Sequence, residues 1–467
     1  MLTLGDASGF CSSAELHGPH ELRFTGVSTD SRTVTPGDLY VALRGERFDG
    51  HAFVSAAQQA GAVAALLEHP VGTSLPSIVV PDTRHALGEL AMGWRQRFDV
   101  PVIVVVGSNG KTTTKEMIAS ILAAEFGQAR RLATPGSLNN EIGLPLTLLG
   151  LRTAHQAVVL ELGMNHPGET RWLAQVAQPT ITLVTNAQRE HQEFMKTVTA
   201  VAGEHALAIE ALKPDGIAVF PGSDPMAAIW YAAAGARRVV DYTLEQEVEP
   251  PCSVTAVVHL ELFDTVVHLD TSEGTISARL ATAGLHNAHN ATAAAAAALS
   301  AGVRLESIQR GLEQFVPVKG RLARGHTALG ALVIDDTYNA NPDSMRAAIE
   351  VLAACPKPQL LILGDMGESG AAAHAFHVEI GRFAKDSGIG ELYATGVQME
   401  AATGAFGAGA VHFESVANLT EAARTWLLAP GREKPSVLVK GSRFMAMESV
   451  VKALLESDGP TEPAGTL

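Results

Sequence analysis

The stretch Val102–Lys115, V-I-V-V-V-G-S-N-G-K-T-T-T-K, limits the possible folds of this chain more than any other. Five consecutive apolar residues, four of them Val, suit a strand buried on both faces of a parallel sheet. Gly107 and Gly110 then bring backbone N–H groups close to an anion, and a helix opens at Thr112, with Thr113 in its first turn, its dipole favouring negative charge. The loop Gly107-Ser108-Asn109-Gly110-Lys111-Thr112 is shorter than the common phosphate loop, because Val105 stands where that version has glycine. It still supplies the needed groups: Lys111 for the β- and γ-phosphates and the Thr112 hydroxyl for Mg²⁺. A glycine-rich turn with a solvated lysine is the alternative, and the strand before and helix after favour a nucleotide.

Among 467 residues, 46% are hydrophobic and 18% charged, as in a soluble globular protein of roughly three domains. The formal net charge of -15 argues against a nucleic-acid or anionic-membrane partner. An anionic substrate must then be met by locally placed Lys, Arg and helix N-termini. Cys11, Cys252 and Cys355 are odd in number and have no C-x-x-C spacing, so neither a disulfide framework nor a zinc cluster is indicated. The first residues lack a basic leader, and no apolar run approaches the roughly 18 residues of a membrane span. The expectation is a cytoplasmic protein, with no compositional reason for an obligate oligomer and hence a monomer.

In chain order, residues 1–85 read as a small α/β domain with a helix at Ala52–Ala60 and a strand at Ala62–Leu67. Thr29-Asp30-Ser31-Arg32 and the loop Arg44–His51 collect polar groups near its strand ends, although Asp30 and Arg32 also suit a surface ion pair. Residues 86–317 have the rhythm of a nucleotide-binding α/β domain with a mostly parallel sheet: a helix from His85 to Phe98, then strands including Ala157–Leu160, Ile181–Val184 and Ile217–Phe220. Glu161 follows one of these strands; Glu190 and His191 follow another, on the edge that carries the phosphate loop. Alternation between Cys252 and Leu280 predicts antiparallel hairpins, and Gly284–Leu299 predicts a helix with Asn287 and Asn290 on one face. After a linker at Val316–Gly320, residues 318–456 form a second doubly wound, Rossmann-like unit. Asp335–Pro342, Gly364–Glu368 and Lys440–Arg443 lie at its strand ends, and the tail 457–467 is expected to be disordered.

The succession G-S-N-G-K-T-T-T-K-E-M, T-P-G-S-L-N-N-E-I-G-L-P-L-T-L-L, E-L-G-M-N-H-P-G-E, G-L-H-N-A-H-N-A, D-D-T-Y-N-A-N-P-D-S-M and L-V-K-G-S-R resembles the Mur ligases of peptidoglycan synthesis, over nearly the whole chain. Within that family, D-D-T-Y-N-A-N-P-D-S-M resembles the branch adding D-alanyl-D-alanine to UDP-N-acetylmuramoyl-tripeptide. The D-N-P-R-type motif of the diaminopimelate- or lysine-adding branches does not occur. The resemblance implies an N-terminal domain for the UDP group, a central ATPase domain and a closing C-terminal domain, with ATP and Mg²⁺ as cofactors. It also implies roles for individual residues. Thr112 and Glu161 would hold one Mg²⁺ and His191 a second; Asn287 and Asn290 would meet adenine; Arg321 and Asp336 would reach ATP. Asn139 and Asn140 match substrate contacts, and Ser31 with Arg32 resembles the uridine-diphosphate pocket.

One motif departs from the family. Several relatives carry a carbamylated lysine beyond the metal histidine, whereas this chain reads Val201-Ala202-Gly203-Glu204-His205. Glu204, or less readily His205, is the expected replacement ligand, with water as the alternative. Two other functions fit part of the pattern: a folylpolyglutamate synthase-like ligase, disfavoured by the N-terminal domain, and a P-loop regulator that binds nucleotide without ligation, disfavoured by the presence of both Lys111 and Glu161.

Overall fold

The computed structural model describes residues 1–244 and 252–456. The expected tail at 457–467 lies outside the described residues. Val102–Val106 is a wholly buried strand, third from one edge of a nine-stranded sheet. Its alternate side chains enter two different cores, Val102, Val104 and Val106 on one face and Ile103 and Val105 on the other. Parallel neighbours flank it, Ala157–Glu161 on one side and Ile181–Val184 on the other. The strand order thus reverses direction around the phosphate loop, and a crevice opens there beyond the strand C-termini.

Beyond Ile181–Val184 the sheet continues through Ile217–Pro221 and Arg238–Thr243 to the antiparallel strands Val254–Leu260, Thr265–Thr271 and Gly274–Leu280. The hairpins therefore form where alternation predicts them, as an extension of the parallel sheet. The strands Arg131–Ala133 and Arg238–Thr243 have no counterpart in the sequence reading. The first is only three residues long and the second mixes arginine and aspartate into its six, so the apolar pattern that marks a central strand is weak in both.

The N-terminal unit holds a five-stranded sheet in the order Glu15–His17, Ser77–Val79, Ala64–Leu67, Asp38–Val41, Gly26–Ser28, parallel except for its first pair. Its Leu39, Leu66 and Ile78 belong to the same core as Val102 and Val104. The helix Thr83–Arg95 joins the two units, with Ala86, Leu87, Leu90 and Trp94 in that shared core. It starts two residues before His85 because the Asp82 carboxylate accepts from the Arg84 and His85 amides, so the expected boundary after residue 85 falls in its first turn.

The C-terminal unit has a six-stranded sheet in the order Ala323–His326, Leu332–Asp336, Ser436–Lys440, Gln359–Gly364, Glu391–Thr395, Ala410–Phe413. Only the first pair is antiparallel. Leu361 and Leu363 face one core and Leu360 and Ile362 another. Among the described residues no helix is long and apolar enough to cross a membrane.

Candidate active site

The phosphate loop needs its two glycines for stereochemical reasons. Gly107 has φ +134°, and a Cβ there would sit 2.0 Å from the Thr185 hydroxyl; Gly110 has φ +83°, and its Cβ would meet Asn290 Oδ1 at 2.2 Å. Gly110 is followed directly by the helix Lys111–Phe126, whose first turn carries no side-chain cap, so its N–H groups face the cleft. The end of the neighbouring strand shapes the loop. Asn186 accepts from the Ser108 and Asn109 amides at 3.1 and 3.0 Å, Thr185 Oγ1 donates to Asn109 O at 2.8 Å, and Gln188 N donates to Ser108 Oγ at 2.8 Å.

Lys111 curls over this loop. Its Nζ donates to Gly107 O, to Ser108 O at 3.1 Å and to Glu190 Oε2 at 3.3 Å. Burial by itself would raise the Glu190 pKa, but Lys111, His205 and His191 outweigh it and hold the carboxyl at about 2. Glu190 therefore stays ionised beside the lysine. One turn after Lys111, the fully buried Lys115 donates to Thr134 O at 2.9 Å and Gly136 O at 3.2 Å, and Thr134 Oγ1 accepts from the Glu161 amide at 3.0 Å. This ammonium ties the phosphate helix to the loop that carries Asn139 and Asn140.

Glu161 ends its strand with a buried carboxylate. Oε1 accepts from Asn139 Nδ2 at 2.8 Å, while Oε2 has no hydrogen-bond partner among the described residues. A buried anionic oxygen left unpaired is costly. Together with the Thr112 hydroxyl, it is the kind of hard oxygen donor that suits Mg²⁺. His191, in the left-handed region at φ +47°, is the other candidate ligand; its Nε2 lies 3.8 Å from Glu190 Oε2 and its Nδ1 pairs with Glu368 of the C-terminal unit.

The C-terminal unit supplies the opposite wall. Arg321 Nη2 donates to Thr112 Oγ1 at 2.8 Å, with its guanidinium 4.1 Å over the Tyr338 ring. Asp336 pairs with Lys440 at 2.6 Å and accepts from Leu322 N at 3.2 Å. Asn287 and Asn290 are buried in the helix Leu285–Ser300 and hydrogen-bond one another at 3.3 Å. Beside them His286 lines the cleft; burial lowers its pKa to about 4, the pull of Asp336 being insufficient to restore it.

The resulting cleft of about 1050 Å³ is lined by Ser108 to Thr113, Asn139, Asn140, Glu161, His191, Asn287, Asn290, Arg321 and Asp336. Gly107 shapes the loop from behind. Asn140 Oδ1 also accepts from the Ile142 and Gly143 amides at the start of the helix Gly143–Leu149. Ser31 and Arg32 are not brought to this cleft; Arg32 is spent on the exposed pair with Asp30 at 2.6 Å.

Glu204 requires a correction as a metal ligand. Its two oxygens each accept a backbone amide at 2.9 Å, from Gly168 and Thr170, and it does not line the cleft. The helix Glu169–Ala177 starts after Gly168, which has no side chain to cap it, and Glu204 supplies the missing acceptor. His205 instead points toward Glu190, Nε2 to Oε1 being 3.4 Å. Sequence reasoning placed Glu190 on the right edge without a role, and it missed His286 altogether. The run G-L-H-N-A-H-N was its only signal, with His286 next to the predicted Asn287.

A buried strand, a short phosphate loop and a helix, met by carboxylates at adjacent strand ends, define a P-loop nucleotide-binding protein. Three family models match the chain: the Mur ligase family, catalytic domain at residues 23–95, the Mur ligase middle domain at 105–298, and the Mur ligase, glutamate ligase domain at 320–443. The chain belongs to the Mur ligase family. It is 39% identical to the UDP-N-acetylmuramoyl-tripeptide–D-alanyl-D-alanine ligase of Escherichia coli K12 across 95% of this chain and 96% of that protein. To the ligase of the same name from Bacillus subtilis 168 it is 35% identical across 92% and 93%. A crystal structure of MurF from Acinetobacter baumannii superposes with a TM-score of 0.90 at 34% identity, covering 97% of this chain and 99% of that one. A Mycobacterium tuberculosis folylpolyglutamate synthase complexed with ADP and AMPPCP shares the fold at a TM-score of 0.65 and 19% identity, over 80% of this chain and 95% of that one.

Proposed function

We infer that this chain is an ATP-dependent ligase that adds D-alanyl-D-alanine to UDP-N-acetylmuramoyl-tripeptide, a step of peptidoglycan precursor synthesis. The observation that carries this reading is identity above 30% along almost the full length of ligases of that name, with the phosphate loop, Lys111 and Glu161 intact. A carboxylate oxygen of the tripeptide attacks the γ-phosphorus of ATP; the bond to the β-phosphate bridging oxygen breaks and ADP leaves. The amine of D-alanyl-D-alanine attacks the carbonyl carbon of the acyl phosphate. The tetrahedral adduct loses phosphate and the nitrogen loses its proton, leaving an amide.

The protein contributes positioning and charge neutralisation, because anionic groups must be brought together. Lys111 offsets the β- and γ-phosphate charge, and the N–H groups of Gly110 to Thr113 cradle the phosphates. Asn287 and Asn290 meet adenine, and Arg321 and Asp336 reach the nucleotide from the C-terminal unit. Asn139 and Asn140 face the substrate, while Ser31 and Arg32 serve the UDP group from the N-terminal unit. Thr112 and Glu161 would hold one Mg²⁺ and His191 a second; when bound, these ions would neutralise phosphate and carboxylate charge. The unpaired Glu161 oxygen supports that assignment. In this reading residues 1–85 bind the UDP substrate, 86–317 bind ATP, and 318–456 close over both, in a monomer working in the cytoplasm. Phosphate release is the test: it should require UDP-N-acetylmuramoyl-tripeptide and D-alanyl-D-alanine together and yield the pentapeptide. Release with neither would favour a nucleotide switch, and no release with any pairing would refute the acceptor.

A further inference from the structure

Arg189 belongs to the strand-end segment that shapes the phosphate loop, yet it does not itself line the cleft, although its partner Asp343 does. Its guanidinium donates to both oxygens of Asp343, at 2.6 and 3.2 Å at the closest, and to both oxygens of Glu379, at 2.7 and 3.1 Å. Its own amide donates to Asp343 Oδ2 at 2.9 Å. The two carboxylates come from different helices of the C-terminal unit, Pro342–Ala353 and Ala373–Asp386. The ring of Phe376 lies 5.3 Å beneath the guanidinium. A planar fork held by two carboxylates at once is a geometry lysine cannot reproduce.

The neighbours of Arg189 show what this attachment controls. Gln188, before it, accepts from Asn109 Nδ2 at 2.6 Å, and Glu190, after it, holds Lys111. On the far side, Asn341 caps the same helix that carries Asp343 and exchanges side-chain hydrogen bonds with Asn109 at 2.9 and 3.3 Å. One short peptide thus grips the phosphate loop with one face and the C-terminal unit with the other.

We propose that Arg189 is a positioning residue that couples closure of the C-terminal unit to assembly of the nucleotide site, acting through Gln188, Glu190 and Asn341 without touching substrate. It rests on the ligase reading only for the identity of the nucleotide. Losing the clamp lowers the population of the closed form, so apparent nucleotide affinity falls by that fraction, while the reacting groups are unchanged once nucleotide saturates.

The test is calorimetric titration of the full chain with ADP and Mg²⁺, for the parent, Arg189→Ala, Arg189→Lys, Glu379→Gln and the double variant Arg189→Ala/Glu379→Gln. The expected result is about tenfold weaker ADP binding for Arg189→Ala and about threefold for Arg189→Lys and for Glu379→Gln. The double variant should be no weaker than Arg189→Ala, because both changes break one clamp. At saturating ATP, the turnover of phosphate release should stay within about threefold of the parent. ADP binding by Arg189→Ala within about twofold of the parent would overturn the proposal. So would lost turnover at saturating ATP with unchanged ADP affinity, since that places Arg189 at the reacting atoms. If Arg189→Ala does not fold, Arg189→Lys and Glu379→Gln decide by the same criteria. ADP titration does not depend on the acceptor, so a wrong dipeptide or tripeptide would show in the parent's phosphate release and leave this result standing.

Discussion

The two joints of this molecule are built from different materials. Between the N-terminal and middle units the contact is mainly apolar: Leu39, Leu66, Leu87, Leu90, Val102 and Val104 are all wholly buried in one continuous core. Between the middle and C-terminal units it is mainly polar, with Arg189 on Asp343 and Glu379, His191 on Glu368, Asn109 on Asn341 and Arg321 on Thr112. A shared core resists separation, because parting it exposes apolar surface at about 25 cal/mol per Å². Hydrogen bonds and ion pairs are exchanged for water at little net cost. In the proposed reading the first joint sets a fixed platform and the second opens to admit ligands, so that the groups that must assemble late belong to the wall that closes.

Four measurements can break or sharpen this contrast. Leu90→Ala removes packing from the apolar joint and should cost about 2–5 kcal/mol of unfolding free energy, read by denaturant titration. A loss below about 1 kcal/mol would mean that the joint is not one core. Lys111→Ala, on the fixed platform, should lower the turnover of phosphate release by about 10²–10³-fold, and because it leaves Glu190 buried without its cation it should also lower the unfolding midpoint.

Acid should act on the polar joint. Arg189 holds the Glu379 carboxyl below its ordinary value of 4.5, and His191 does the same for Glu368. Groups depressed in the folded state lend stability that is complete above the unfolded value and fades as pH falls through the folded one. Scattering profiles of the ADP-bound chain should therefore expand as pH drops below about 4.5, before the near-ultraviolet signal of the apolar core collapses. Simultaneous loss would erase the distinction. The smallest effect is that of salt. Raising ionic strength from about 0.1 to about 1 M shortens the screening length from about 10 to about 3 Å and should weaken ADP binding a few-fold. The unfolding midpoint of Leu90→Ala relative to the parent should not change.

What could be read from the sequence divides along a related line. Val102–Lys115, Glu161, His191 and the pair Asn287 and Asn290 announce themselves because local pattern, strand then polar end or helix face, is what places them. The role of Glu190 depends on Lys111 and His205, which are remote in sequence, and the role of Arg189 on Asp343 and Glu379 in another unit; no periodicity records such pairs. Glu204 shows how chemistry alone misleads. A carboxylate at the expected place was available as a ligand, but the helix from Glu169 lacked a cap and took it. The faint signal was Gly168, a helix start without a side chain of its own.

Lys115 carries a consequence for the timing of the reaction. An ammonium sealed under the phosphate helix and bonded to the carbonyls of Thr134 and Gly136 makes that helix and the loop of Asn139 and Asn140, which the proposed reading turns toward the tripeptide, a single rigid piece. The separation between phosphate and attacking carboxylate is then largely a property of the empty protein. The orientational freedom that two dissolved reactants would surrender on meeting has, on the protein's side, already been given up when the chain folds.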